Sequence, residues 1–135
     1  MGINDNLDNL VRSGGLKLEP YDTKECAGLI CSAADRLRDA HNSTLSYASR
    51  FDLGYNAAHA LALAAMRLRG YRSDRRYLVF QCLPHTLALD KVQVRLFALC
   101  AATLPNTKAT WISMSLCLKN CSRVLRLCIC RYRRR

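Results

Sequence analysis

The chain has 135 residues, half of them apolar, and a formal net charge of +11. This length predicts a single domain with one hydrophobic core, and the lack of an apolar run of about 18–20 residues argues against a membrane span. The opening stretch, MGINDNLDNLVRSGG, carries early acids and no continuous apolar run, unlike a secretory signal. We therefore expect a cytoplasmic protein whose cysteines are reduced.

The positive charge is concentrated near one end of the sequence. Residues 1–100 contain thirteen Lys or Arg and ten Asp or Glu, whereas residues 101–135 contain eight Lys or Arg and no acid. Five of the eight cysteines also lie at or after Cys100. A basic balance favours polyanion binding, but here it comes mainly from one segment. We divide the chain into a helical domain, residues 1–100, and an atypical basic, Cys-rich tail, residues 101–135.

The beginning of the domain predicts two helices. NDNLDNLVRSGG fits a short helix that ends at Gly14 and Gly15. After a KLEPY link, Asp22 followed by Glu25 three positions later resembles a capping box at the start of a second helix, which ends near DAHNS. The apolar residues of this helix recur at helical spacing: Cys26, Ile30, Ala34 and Leu37.

A long third helix follows. Ser43 or Thr44 can cap it, and it runs through Leu68 and closes at Gly70. Its apolar and small residues alternate in steps of four and three, which predicts a narrow seam for close helix packing. The seam consists of Tyr47, Phe51, Gly54, Ala58, Leu61, Ala65 and Leu68.

The next segments predict further helices. Ser73 can cap DRRYLVFQCL, which Pro84 interrupts, and residues 86–103 form the last stretch with a clear helical pattern. No internal repeat and no low-complexity linker is present. The fold class that we predict is all-α, an antiparallel four-helix-type bundle.

Residues 50–87 resemble one branch of the HEPN superfamily of small bacterial and archaeal helical-bundle proteins. The resemblance rests on the pair RF at 50–51, YNAAH at 55–59, GYR at 70–72 and the block FQCLPHTL. With the weaker CSAADRLRDA before them, the likeness covers roughly residues 26–100. It implies an up-and-down bundle that forms a homodimer, and many members are RNases or RNA-binding partners of nucleotidyltransferase antitoxins.

The chain departs from that family near its C-terminal end. RNase members carry an Arg, usually followed by Asn, and a His further along a late helix, where the Arg can steady a phosphate and the His can transfer a proton. In the branch that this chain resembles, the late segment usually reads RNLAEYEG. The chain instead has CAATLPNTKATWISMS at this place. The resemblance therefore implies a binding module that is catalytically inactive in this form.

A shift of reading frame would explain the missing segment. Permitted codons for residues 102–114, ATLPNTKATWISM, read RNLAEYEGDLDID when the frame moves by one base. The Trp111-Ile112 pair forces an Asp in the shifted frame whichever Ile codon is used. We hypothesise that residues 101–135 are an off-frame version of the last helices. Losing one helix from a bundle of about 5–15 kcal/mol total stability predicts a marginal, aggregation-prone monomer, or a dimer that covers the gap.

The tail also offers two site hypotheses. Its cysteines form C-x3-C and C-x-C pairs, but C-x-C chelates zinc poorly on a helix or strand and no turn residues flank either pair. We therefore favour free thiols and expect no metal and no cofactor. The terminal RYRRR run, with three basic residues upstream, has the composition of a disordered basic arm. The residues concerned are Cys117, Cys121, Cys128, Cys130, Lys119, Arg123 and Arg126.

Two clusters lie inside the domain. The arginines at positions 67, 69, 72, 75 and 76 form a basic cluster. This cluster is either a solvated helix end, where cations complement the helix dipole, or an RNA-facing patch with Tyr71 and Tyr77 available for stacking. The polar residues at 52, 56 and 59 share one side of the long helix. They predict either a buried polar network or, with Arg50, a proton-transfer role for His59. The candidate site residues are Arg67, Arg69, Arg72, Arg75, Arg76, Arg50, Asn56 and His59.

Three functions compete at this point. The first is a HEPN-like binding or interaction protein, associated with RNA or with a nucleotidyltransferase-type toxin–antitoxin partner. The second is an active RNase toxin, which requires the late-helix Arg and His that the chain lacks. The third is a basic nucleic-acid-binding protein that acts through its Arg-rich tail.

Overall fold

A computed structural model describes residues 3–86 and, near the C-terminus, residues 123, 126, 129, 130 and 132–134. The described part is mostly helical, in agreement with the prediction, and it also contains one short pair of strands. In chain order the elements are α1 (Ile3–Arg12), β1 (Lys17–Leu18), α2 (Thr23–Ala40), α3 (Tyr47–Leu68), β2 (Tyr71–Arg72), α4 (Arg76–Gln81) and α5 (Leu83–Thr86).

The ends of the first helices lie where the sequence predicts them. Helix α1 is followed by Gly14, whose φ of +81° is a left-handed conformation that favours glycine. The Asp22 side chain accepts a hydrogen bond from the Glu25 backbone N–H at 3.0 Å, which caps α2. Helix α3 is followed by Gly70, whose φ is +85°.

Helix α3 begins later than predicted. Its N-cap is Ser46, whose Oγ accepts a hydrogen bond from the Ser49 N–H at 3.2 Å. The predicted caps, Ser43 and Thr44, lie in the preceding loop, where the Thr44 hydroxyl donates to the Asn42 side chain at 2.7 Å. The local bonds with Asn42 compete with helix formation, so the helix starts at the next available hydroxyl.

The core is built around the second half of α3. This helix packs against α2 on one side and against β2, α4 and α5 on others. From Ala57 onward it is therefore buried almost all the way round, which is broader than the predicted seam, and Tyr47 at the other end of that seam is 48% exposed. The buried face of α2 is Cys26, Ile30, Ala33, Leu37 and Ala40.

The KLEPY link contains a strand that the sequence analysis did not predict. Lys17 pairs with Arg72 and Leu18 with Tyr71 in an antiparallel register. The ladder continues with a bond from the Glu19 N–H to the Gly70 carbonyl at 3.1 Å. This pairing fixes the segment before α2 to the segment after α3.

The segment after β2 differs from the prediction in its first turn. Helix α4 starts at Arg76, and Ser73 is not its N-cap. Instead, the Ser73 hydroxyl donates to the Gly15 carbonyl at 3.1 Å and accepts from the Arg75 N–H at 3.2 Å. Pro84 lies in the first turn of α5, where a missing N–H is tolerated.

The predicted helix over residues 86–103 lies outside the described residues after its first position. Near the C-terminus the described residues are helical apart from Arg134, which differs from the disordered arm that we expected. Ile129 and Tyr132 are partly buried against the core, whereas Arg133 and Arg134 are exposed. Within the described residues, no helix has the length and apolar character needed to cross a membrane.

Candidate nucleic-acid interface

The five arginines of the predicted basic cluster occupy three different environments. Two of them, Arg67 and Arg72, form ion pairs with Glu19 and Glu25. One lies at the C-terminal end of α3. The remaining two lie on the first turn of α4 or just before it. The cluster is therefore not a single surface.

Arg67 is buried, with 1% of its surface exposed, and this corrects the prediction of a solvated or RNA-facing side chain. Its Nη2 donates to the Pro20 carbonyl at 2.7 Å and its Nη1 to the Glu19 carbonyl at 3.1 Å. Its Nε donates to Glu25 Oε2 at 3.1 Å. The planar guanidinium thus connects α3 to the segment that enters α2, and its role is structural.

Arg72 completes the same ion-pair cluster. Its Nε lies 2.7 Å from Glu19 Oε2, and its Nη2 contacts Glu25 Oε1. Burial lowers the pKa of Arg72, but the hydrogen bond and charge of Glu25, followed by those of Glu19, outweigh burial and raise it overall. Two arginines and two glutamates therefore balance one another here, and neither Arg67 nor Arg72 supplies net charge for a ligand.

Arg69 and Tyr71 lie at the C-terminal end of α3. Arg69 is the exposed C-cap residue of that helix. Tyr71 is buried, and its hydroxyl donates to Asp8 Oδ1 at 2.7 Å. Burial raises the pKa of Tyr71, and the Asp8 hydrogen bond and charge add to this effect against the opposing charge of Arg69. Because Tyr71 anchors α1, it cannot serve as the stacking surface that the sequence suggested.

Arg75, Arg76 and Tyr77 are exposed where α4 begins, and Tyr77 is 69% exposed. The Arg76 guanidinium carbon lies 5.6 Å from the centre of the Tyr55 ring, within cation–π range. We call Arg75, Arg76, Tyr77 and Tyr55 the α4 surface. His59 lies one turn beyond Tyr55 on α3. Arg69 follows His59 by ten helical positions, so it lies about 15 Å further along α3, away from the α4 surface.

A row of aromatic side chains supports the α4 surface. Phe51, Tyr55 and His59 follow one another on α3 in steps of four. The Phe51 and Tyr55 rings are parallel with centroids 6.5 Å apart. Phe80 from α4 lies 5.9 Å from Tyr55 and 5.9 Å from His59, edge-on to the imidazole. These contacts fix α4 against α3 and hold Tyr55 beneath Arg76.

His59 is half-buried in this row, next to the positive charge of Arg76. Burial, followed by the Arg76 charge, lowers the pKa of His59 below its ordinary value of 6.5. The imidazole is therefore neutral at pH 7 in the free protein.

The structure does not bring Arg50, Asn56 and His59 together. Arg50 Nε donates to the carbonyl of Ala40, the last residue of α2, at 2.7 Å. Asn56 Nδ2 donates to the Asp52 backbone carbonyl at 2.8 Å, and the Asp52 side chain is exposed. Arg50 and His59 are nine helical positions apart, or about 13 Å. The predicted polar network and the pairing of Arg50 with His59 are therefore wrong, and Arg76 is the arginine close to His59.

The aromatic support and the Arg76–Tyr55 contact were missed by the sequence analysis. The available signal was the four-residue spacing on both helices. It places three rings, at 51, 55 and 59, on one side of α3, and it places Phe80 one turn after Arg76 on α4. The ion pairs of Arg67 and Arg72 carried a weaker signal, because Glu25 lies 42 and 47 positions before these arginines in the sequence.

No group of three or more His, Cys, Asp or Glu side chains is placed to hold a metal ion among the described residues. Of the four cysteines in the zinc hypothesis, Cys130 alone is described, and it is exposed. Cys31 and Cys82, like Cys130, carry free thiols.

Comparison with known proteins yields no relative from which a function could be transferred. No protein-family model matches the chain, and neither a curated protein nor a solved structure shows significant similarity to it.

Proposed function

We propose that this protein is a helical RNA-binding module that engages the phosphate backbone through the α4 surface, without cleaving it. The observation that carries the proposal is that acidic side chains neutralise some of the arginines and not others. Arg67 and Arg72 are neutralised by two glutamates, whereas Arg75 and Arg76 form no ion pair within the described part of the chain. Two exposed positive charges are thus available to phosphates.

Neighbouring acids do not cancel this charge. Asp74, the residue immediately before Arg75, is paired with Lys17 Nζ at 3.1 Å. That pair is exposed and balances itself. The Arg76 guanidinium is also held over Tyr55, so it loses less side-chain freedom when it binds a phosphate than an unsupported arginine would.

The α4 surface offers stacking as well as charge. Tyr77 follows directly after the two arginines and is 69% exposed. Basic side chains beside exposed aromatic rings are the combination that binds single strands, because the arginines follow the backbone while an unpaired base stacks on the ring. We therefore favour single-stranded RNA over a duplex.

The resemblance to the HEPN superfamily is part of the proposal. It supports a bundle that forms a homodimer and a role beside a nucleotidyltransferase-type partner, with RNA as the shared ligand. Binding without cleavage follows because the late segment lacks the Arg and His of the RNase members. The RNase alternative requires residues that this reading frame does not encode.

The test is equilibrium binding of a fluorescent oligouridylate to the full chain and to charge variants. Arg75→Gln with Arg76→Gln should weaken binding about tenfold or more, because two phosphate contacts are lost. Tyr77→Ala should weaken binding by about 1–3 kcal/mol if one base stacks on the ring. A duplex of equal length should be less sensitive to Tyr77→Ala.

The matched control is Arg133→Gln with Arg134→Gln, which removes the same charge from two exposed residues of the tail. Substitution is preferable to deletion of residues 131–135, because deletion also removes Tyr132, which packs against the core. If only the tail variant loses RNA binding, the α4 surface is not the site and the tail hypothesis replaces it.

A further inference from the structure

His59 lies next to the α4 surface and adds no charge to it in the free protein near pH 7. It is half-buried and edge-on to Phe80 at 5.9 Å, one helical turn after Tyr55. Arg76 reaches over Tyr55, and its charge acts on the imidazole. A phosphate held by Arg76 would therefore come close to a side chain that can gain a proton.

The ionisable groups around His59 leave Arg76 as the dominant charge. On α3, Tyr55 lies one turn before it and Asp52 two turns before it, about 10 Å along the axis. From α4 the facing groups are Arg76 and the apolar Phe80. Burial raises the pKa of the Cys82 thiol at the end of α4 to about 11, so this thiol stays neutral. The buried face of α2 contributes Cys26 as its one ionisable side chain. Helix α5, which also packs against α3, contributes His85.

We propose that an RNA phosphate held by Arg76 also accepts a hydrogen bond from the protonated ring of His59, so that binding at the α4 surface takes up one proton from solvent. This inference rests on the proposed function and adds a residue and a pH dependence to the same site. It assigns His59 to the phosphate contact and not to catalysis.

The direction of the effect follows from the charges. In the free protein, burial and Arg76 both disfavour the imidazolium, so His59 is neutral near pH 7. A bound phosphate is negative and offsets the Arg76 charge, which favours the imidazolium. The ring then donates an N–H to a phosphate oxygen as a charge-assisted hydrogen bond. By linkage, an equilibrium that takes up one proton strengthens by at most about tenfold for each pH unit of acidification.

The experiment measures the Kd for an oligouridylate of about twelve nucleotides between about pH 5.5 and 8, where uracil does not titrate and histidine does. We expect the affinity of the full chain to rise as the pH falls, by about three- to tenfold per unit over part of this range. A second readout at one pH is the heat of binding in two buffers of different ionisation enthalpy. It should report uptake of up to one proton.

The variants separate His59 from other sources of pH dependence. His59→Gln and His59→Asn should bind oligouridylate with a nearly flat pH profile and no proton uptake, whereas His41→Gln, at the exposed end of α2, should keep both. Arg76→Gln should lose affinity together with the pH dependence. Arg75→Gln should lose affinity but keep the pH dependence, because the charge that acts on His59 is that of Arg76.

Each outcome decides the inference. A flat pH profile in the unmodified chain overturns it while leaving RNA binding intact, and so does a pH dependence that survives both His59 variants. A profile that flattens in the His59 and Arg76 variants alone supports it. If oligouridylate does not bind at any pH, the proposed function itself is refuted, and this inference with it.

Discussion

The strongest structural prediction concerns Arg67, a buried cation inside a helical core. Replacing it with methionine keeps much of the apolar stem and removes every polar contact of the guanidinium. The hydrogen bond to the Glu25 carboxylate is of the charged type, which contributes about 1.5–3 kcal/mol. The carbonyls of Glu19 and Pro20 each lose a donor, at about 1 kcal/mol apiece where water can partly replace it.

Together these losses predict that Arg67→Met lowers the free energy of unfolding by about 3.5–5 kcal/mol. Urea unfolding followed by circular dichroism should show a midpoint about 2 M lower, for a typical dependence on urea. Arg69→Met is the matched control, because Arg69 is exposed two positions later and its replacement should cost less than about 0.5 kcal/mol.

If Arg67→Met does not fold, Arg67→Lys provides the measurement. Lysine keeps the charge but loses the planar fork that reaches three partners, so an intermediate loss is expected. The reasoning is refuted if Arg67→Met and Arg69→Met unfold at the same urea concentration. Such a result would mean that the ion-pair cluster contributes no net stability.

Three further predictions test two glycine positions, the titration of His59 and the tail. Gly28→Ala should stabilise the protein by about 0.5–1 kcal/mol, because Gly28 is exposed within α2 and an added Cβ meets no atom within 4 Å. Gly70→Ala should instead destabilise it by about 1–2 kcal/mol, since φ is +85° there, and equal effects in urea unfolding would contradict this contrast. Folding lowers the pKa of His59 from its ordinary value of 6.5, so below that pH the unfolded chain binds more protons than the folded chain. The free energy of unfolding should therefore fall as the pH drops below about 6.5, and it should fall less in His59→Gln. Sequencing the gene through the codons for residues 95–120 should reveal a one-base insertion or deletion whose repair restores RNLAEYEG, and an intact frame would refute the frameshift hypothesis.

The helix ends could be predicted because local chemistry determines them. Asp22 caps α2 through a bond three residues away, and Gly14 and Gly70 supply the left-handed conformations that follow α1 and α3. These signals lie within one turn of the structure that they specify. The start of α3 was missed by two or three residues because several hydroxyls compete in the preceding loop, and Ser46 is the cap.

The candidate site could be predicted only in part, because its character depends on distant partners. Arg67 and Arg75 look alike in the sequence, yet Arg67 meets a carbonyl 48 positions away and is buried. The sequence makes both Tyr71 and Tyr77 candidates for stacking, but the Tyr71 hydroxyl bonds to Asp8, 63 positions away. Strands of two residues carry no periodicity, so the β1–β2 pair that organises these contacts had no recognisable pattern.

The measurement that tests the central claim most directly is the salt dependence of oligouridylate binding. The slope of log K against log salt counts the phosphates that the protein neutralises, at about 0.7 per contact for a single strand. If Arg75 and Arg76 each contact a phosphate, the double Gln variant should bind with a slope about 1.4 units shallower than that of the unmodified chain. An unchanged slope would show that neither arginine contacts the RNA and would contradict the assignment of the α4 surface.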